Sequence, residues 1–562
     1  MNYNGITFLI FLILISINLS ISSFCGTDDL GINPLYIKEI KNNNTKRKTD
    51  SSYTPIKIKI DYTSLERDSL VSSETLEKIK ENIDATVLEY EKFLKVQHSQ
   101  FNLYISDENF KKHCPTNIID PSWRSFYDDY DLIIFPRFNS SFSQNILASA
   151  AACLFDEGNH RPLAGIISLN PQAEINKRNI DLYMKRIFFH EFTHILIFHP
   201  TLLNKLGFIT NINSISYINS PKVVEKAKQH FNCEDINGIP LENQGASASR
   251  GMHWESRYML GDYMISTDYL DFTISDITLA LFEDSGFYQV DYYSGGLFKF
   301  GKNKGCKFFR EKCIVNEKTE FSDEFCTNYN QETCSNAKIN KAECELNNYA
   351  EIPNDMQYFS NPYQGGFIEA DYCPVANIHY ELTISDYFTN NCKVGQISSS
   401  NYGEKIGDNS FCFVSSLVPS SYSSSNSKAI CYEVECDKIN KKIKVKIGSS
   451  TVTCPTSGGI LNNPSGLKGS IECPKYVQIC DFESNNMCND PFDCLSKQSK
   501  TDPDSYGDSY DYFDDNDNDG DDDDEGNDSN GNNSYPIKIR RSSSENLKYN
   551  CIILFLLIFL FA

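Results

Sequence analysis

Residues 180–198 read IDLYMKRIFFHEFTHILIF. Apolar residues recur at helical spacing, the run is long enough for a buried helix, and Pro200 lies just beyond it. Within it stand His190, Glu191 and His194. On a helix, positions i and i+4 share a face, so both imidazoles aim at one spot about one turn apart. Imidazole nitrogen binds zinc well, and two such ligands begin a tetrahedral site. Glu191 projects beside that spot without being a ligand. It is placed to take a proton from a water whose pKa a zinc ion lowers, and to return the proton to a leaving amine. Uncompensated imidazoles in so apolar a run would be costly, which weighs against a helix that carries two histidines by chance.

A catalytic zinc needs a third protein ligand and an open position. The remaining histidines are 98, 113, 160, 199, 230, 253 and 379. The compact HExxHxxGxxH spacing puts its third His at position 200, which is Pro200, and His199 reads as a solvent-facing residue at a helix end. His253 lies far downstream in GMHWESRYMLGDYM (251–264), and Met264 follows it by eleven residues. A methionine in a turn beneath the metal is a mark of metzincins.

Outward from this core the chain changes character several times. Residues 1–23 hold ITFLIFLILISINLSI followed by small residues, as in a secretory signal peptide. Residues 24–55 are polar and read as a flexible lead-in or pro-segment. IKIKIDY (56–62) alternates as a half-buried strand does, and 73–96 has helical spacing with Ser73 as N-cap and Glu74 and Glu77 near its start. DLIIFPRF (131–138) and LAGIISLN (163–170) read as buried strands, and 221–231 and 274–286 as helical stretches. Strands and helices thus mix through 56–200, the central 201–305 carries the two helical stretches, and 306–495 reads as a separate, mostly β, disulfide-rich domain.

The formal charge is −23, but residues 502–528 carry fourteen Asp or Glu and no Lys or Arg, leaving −9 for the rest. That balance argues against nucleic-acid binding, which needs a basic face. Residues 496–545 read as an acidic disordered stalk. Asp515, Asp517, Asp519 and Gly520 match the start of a calcium loop, but Gly526 stands where its closing Glu belongs. The hydrophobic tail of 546–562 ends in CIILFLLIFLFA, short for a spanning helix and preceded by Ser542, Ser543 and Ser544. This suits a GPI-attachment signal, with Ser542 as the anchor site. Asn43 and Asn139 head glycosylation sequons. Twenty cysteines behind a signal peptide imply an oxidising compartment. Setting aside Cys25 and Cys551 leaves eighteen, an even number compatible with nine bridges.

The order HEFTH, long insertion, Gly251-Met252-His253-Trp254-Glu255-Ser256-Arg257, then Met264, resembles the leishmanolysin family of surface metallopeptidases. TLALFEDSGFYQVDY (278–292), CKFFREKC (306–313), YFSNPYQGGFIEADYCPV (358–375) and CPKYVQIC (473–480) extend the resemblance over about residues 56–480. It implies an α+β fold: a metzincin-like zinc peptidase catalytic domain with a central insertion and a disulfide-rich, mostly β C-terminal domain. It implies His253 as the third zinc ligand beside His190 and His194, Glu191 as catalytic base and Met264 as the Met-turn residue. It also implies endopeptidase action on protein or peptide substrates, and display on the cell-surface membrane with a part in adhesion.

Two departures stand out. The family has Gly three residues after the second His, letting the chain turn sharply; here it is Ile197. A β-branched residue at positive φ would be strained, so the substitution predicts a helix running on to about His199. The lead-in is also short, and its sole cysteine, Cys25, is the one thiolate available there to block a zinc ion. Ile197 is the one feature that favours an alternative, a catalytically impaired adhesion or binding protein that keeps the peptidase fold. A zinc hydrolase acting on non-peptide substrates is argued against only by the resemblance.

Overall fold

The computed structural model describes residues 34–37, 52–98, 112–114, 130–143, 146–172, 180–245, 249–267, 269, 272–292, 298–329, 331–377, 390–393, 403–423 and 426–480. All of them belong to one compact unit, Met1–Pro503. The expectations for the signal peptide, Cys25, Asn43, the acidic stalk and its calcium-loop match, Ser542 and the terminal tail lie outside the described residues. No helix among the described residues is long and apolar enough to cross a membrane.

Strands and helices are mixed as expected. The strands of the first part are β1 (Leu35–Ile37), β2 (Thr54–Pro55), β3 (Ile58–Ile60), β4 (Leu94–Val96), β5 (Leu132–Phe138), β6 (Ala148–Asp156) and β7 (Pro162–Leu169). Five form a sheet in the order β1-β6-β7-β5-β3. β3, β5 and β7 run parallel, β6 runs antiparallel to β7, and β1 runs parallel to β6. Every residue of β7 is buried, and all of β5 but Arg137, which explains their unbroken apolar runs: a sheet covered on both faces has no polar side to alternate with. β5 tolerates Pro136 because the β3 ladder ends at Ile134, before the residue that lacks an N–H.

Helix α1 (Ser73–Phe93) starts one residue earlier than its sequence suggests: Ser72 is the N-cap, its hydroxyl accepting from the Thr75 N–H at 3.1 Å. It also ends sooner than 96. Residues 94–96 become β4, which pairs with Thr54–Pro55 and with Tyr288–Val290, so ladder pairing overrides helical spacing there. Order reaches into the stretch read as a flexible lead-in, where β1 uses Leu35–Ile37 to pair with Leu154–Asp156.

Helix α2 (Ile180–Leu196) lies against α1 and the sheet. The Tyr90 ring of α1 stacks on Phe189 and Phe192 of α2, with centroids 4.4 and 5.6 Å apart. Within β7, Gly165 makes room for α2: a Cβ there would sit 2.5 Å from Ile195 Cγ2. One apolar cluster runs from Ile56 to Val375, past the point where the cysteine-dense region begins. A second covers Phe411 to Cys480 on a six-stranded antiparallel sheet.

Among the described residues eight disulfides are formed: 114–153, 233–306, 313–373, 326–344, 334–412, 392–431, 436–480 and 454–473. Cys488 and Cys494, the remaining pair of the expected eighteen, lie outside the described residues. The bridges 233–306 and 334–412 close the longest loops, 73 and 78 residues, and so constrain the unfolded chain most.

Gly165 sets how closely α2 approaches the sheet. We expect Gly165→Ala to lower stability by about 1–3 kcal/mol, the usual cost of overpacking. Ile195→Val in the same chain should restore part of the loss. Urea midpoints of the two variants measure both effects.

Candidate metal centre

Helix α2 presents His190 and His194 one turn apart, and both side chains are fully buried. The chain returns to them at His253, also fully buried, in the loop ahead of the short helix Ser256–Met259. The three Nε2 atoms converge: His190 to His194 is 2.9 Å and His190 to His253 is 3.2 Å. Their ligand nitrogens all lie within 4.8 Å of one another. Two imidazoles on a tetrahedral zinc, each about 2.05 Å from it, sit about 3.3 Å apart, so the observed spacing fits such an ion.

The opposite nitrogen of each ring fixes its tautomer. His190 Nδ1 lies 2.7 Å from the Tyr263 carbonyl, His194 Nδ1 2.7 Å from the Phe198 carbonyl, and His253 Nδ1 3.1 Å from the Ser249 carbonyl. A carbonyl only accepts, so in each ring Nδ1 carries the proton and Nε2 keeps its lone pair. Three lone pairs thus face one point, a donor set that suits a cation. Burial holds His190 and His194 well below the ordinary imidazole range, and the neighbouring rings push the same way. Burial likewise brings His253 down to about 4. Another close group of potential ligands, Cys233, Asp235 and Cys306, has both sulfurs in a disulfide.

The turn after α2 differs from expectation. The helix stops at Leu196 rather than running to His199, and Ile197 is not in the left-handed region. The Ile197 and Phe198 N–H groups both donate to the Thr193 carbonyl at 2.9 Å, and the His199 N–H donates to the Ile197 carbonyl at 2.9 Å. The last bond closes a three-residue turn about Phe198 that needs no glycine. It aims the Phe198 carbonyl at His194. His199 is half-buried, and its ring caps the next helix, Pro200–Lys205, accepting from the Thr201 N–H at 3.3 Å.

Met264 is buried in the turn beneath His190, whose Nδ1 bonds the preceding carbonyl. Asp262 shapes that turn, accepting from the Met264 N–H at 2.7 Å and the Thr278 hydroxyl at 2.8 Å. The Trp254 indole donates to the same Thr278 oxygen at 2.7 Å, tying the loop after His253 to the turn. Burial pushes Asp262 up to about 6, against the pull of its hydrogen-bond donors. Thr193, between the two helix histidines, meets the Tyr263 hydroxyl at 3.0 Å and the Tyr90 hydroxyl at 2.5 Å. Sequence reasoning had overlooked Tyr90, Thr193, Asp262 and Tyr263. The one signal for the last two was their place beside Met264.

Glu191 follows His190 on α2 and is fully buried. A sequence model described as leishmanolysin matches residues 49–486. The chain belongs to the leishmanolysin family. It is 29% identical over 360 residues to a leishmanolysin homolog of Crithidia fasciculata, covering 60% of this chain and 53% of that one. With leishmanolysin of Leishmania chagasi it shares 27% over 362 residues, 60% of this chain and 58% of the other. With a leishmanolysin-like peptidase of Caenorhabditis briggsae it shares 26% over 426 residues, 59% and 63%. The chain spans little more than half the length of these relatives.

A depressed histidine pKa gives a definite sign. Between about 6.5 and about 4 the unfolded chain holds a proton on residue 253 that the metal-free folded chain does not, so stability drops as pH falls through that window. In chelator, the stability margin of wild type over His253→Gln should therefore shrink by about 3 kcal/mol from pH 7 to about pH 4. Paired denaturant melts of the two chains measure it. A margin that stays constant would refute the neutral, buried ring.

Proposed function

We propose that the chain is a zinc metalloendopeptidase that hydrolyses peptide bonds in proteins. The observation that carries this reading is the convergence of three Nε2 lone pairs, from His190, His194 and His253, beside a buried Glu191 on the same helix. Zinc held by these rings would supply a Lewis acid that polarises a scissile carbonyl and acidifies water. The Tyr263, Phe198 and Ser249 carbonyls keep the three rings aimed and in the binding tautomer. Glu191 takes the proton of the attacking water and delivers it to the leaving amine. Family membership supports a peptidase, and the name of one relative includes that word.

On this reading residues 56–200 and 201–305 build the catalytic region around a metzincin-type Met264 turn, and 306–495 forms a disulfide-rich C-terminal part. The proposed place of action is outside the cell, secreted or held at the surface by a GPI anchor. Eight disulfides support an oxidising compartment. The adhesion-only alternative rested on Ile197, and the turn there still delivers the Phe198 carbonyl to His194.

The test separates binding from chemistry. The chain should carry one zinc ion and cleave casein, and a chelator should abolish cleavage. Glu191→Ala should keep the zinc and lose at least about 100-fold in rate. Cleavage equal to wild type in that variant would sink the mechanism.

A further inference from the structure

A second set of groups with hydrolase geometry lies away from these histidines. It joins β2, the residues just after β4, and the residue just before β5. Thr54 Oγ1 lies 2.6 Å from His98 Nε2, and His98 Nδ1 lies 2.7 Å from Asp131 Oδ1. Asp131 is itself fixed. Its Oδ2 accepts from the Lys57 N–H at 2.9 Å, its own N–H donates to the Lys57 carbonyl at 2.8 Å, and the Arg161 guanidinium stands 3.8 Å from Oδ1. The Asp131 side chain is buried, whereas 42% of the His98 side chain is exposed, so the relay is anchored inside and open outside.

The direction of the bonds matters. A carboxylate only accepts, so in the neutral ring Nδ1 carries the proton and Nε2 is left to accept from the Thr54 hydroxyl. That is the arrangement in which a base activates a hydroxyl nucleophile and a buried carboxylate orients the base. We propose that Thr54, His98 and Asp131 form a metal-independent acyl-transfer site, with the Thr54 hydroxyl as nucleophile toward activated carboxylic esters.

The step balances without a co-reactant. Thr54 Oγ1 bonds to the acyl carbon and its proton passes to His98 Nε2. The C–O bond to the leaving group then breaks, and the departing oxygen takes that proton. Water, deprotonated by the same imidazole, hydrolyses the acyl-threonine and restores the hydroxyl. Asp131 holds the ring throughout and gains no proton.

The probe is p-nitrophenyl acetate, added to the full chain with and without chelator, followed by peptide mapping by mass spectrometry. An acetyl group should appear on Thr54 in both conditions. Thr54→Ser keeps a hydroxyl and should keep the adduct at that position, and the near-isosteric Thr54→Val should lose it. His98→Gln retains hydrogen-bonding groups but no base, and should slow acetylation at Thr54 by about 100-fold or more. A purely structural tie between the strands would leave Thr54 unmodified while lysines react. Wild type without acetyl-Thr54, or acetylation that His98→Gln does not slow, overturns the proposal.

Discussion

Three imidazole lone pairs directed at a single buried point repel one another unless a cation or a proton lies among them. Leaving three such rings neutral and dry is costly, and here each ring is held in that state by a carbonyl on its far side. Those carbonyls come from the loop before His253, the turn after α2 and the turn before Met264. Assembling the rings therefore requires each of those segments to be in place. The sheet, the Gly165 approach, the Tyr90 stack and the Asp262 hub all serve that end: they fix α2 and then fix what faces it.

His190, Glu191 and His194 could be read from the sequence because helix periodicity alone places them together. His253 could not, since nothing local relates residues 63 positions apart; resemblance supplied it. The positioning groups were hidden for a different reason. Two of the three carbonyl contacts fall on residues whose side chains say nothing about their backbone oxygens, and the third hangs on a turn whose type the sequence misjudged. Ile197 argued for a longer helix only if positive φ was the one way out of it. The structure uses bifurcated acceptance at Thr193 and a tight turn about Phe198 instead.

The strands were legible where burial on both faces removed alternation, as in β5 and β7. They were misread where pairing partners lie far away. Residues 94–96 look helical and become β4 because residues 54–55 and 288–290 offer ladders. The cysteine count foretold a heavily bridged chain, but the pairings, such as 334–412 across 78 residues, depend on tertiary contacts that spacing does not encode.

The short strand β1 carries a practical consequence. It completes the outer side of β6 beside Leu154–Asp156, where Tyr36 stacks on Phe155 at 5.6 Å and lies under the Lys205 ammonium at 3.8 Å. A chain trimmed to begin at Ile56, where the apolar core opens, would strip that cover and bare a row of backbone groups able to recruit another extended polypeptide. Leu35–Ile37 are thus folding partners of the sheet, and their removal replaces a three-residue edge strand by the nine-residue edge of β6.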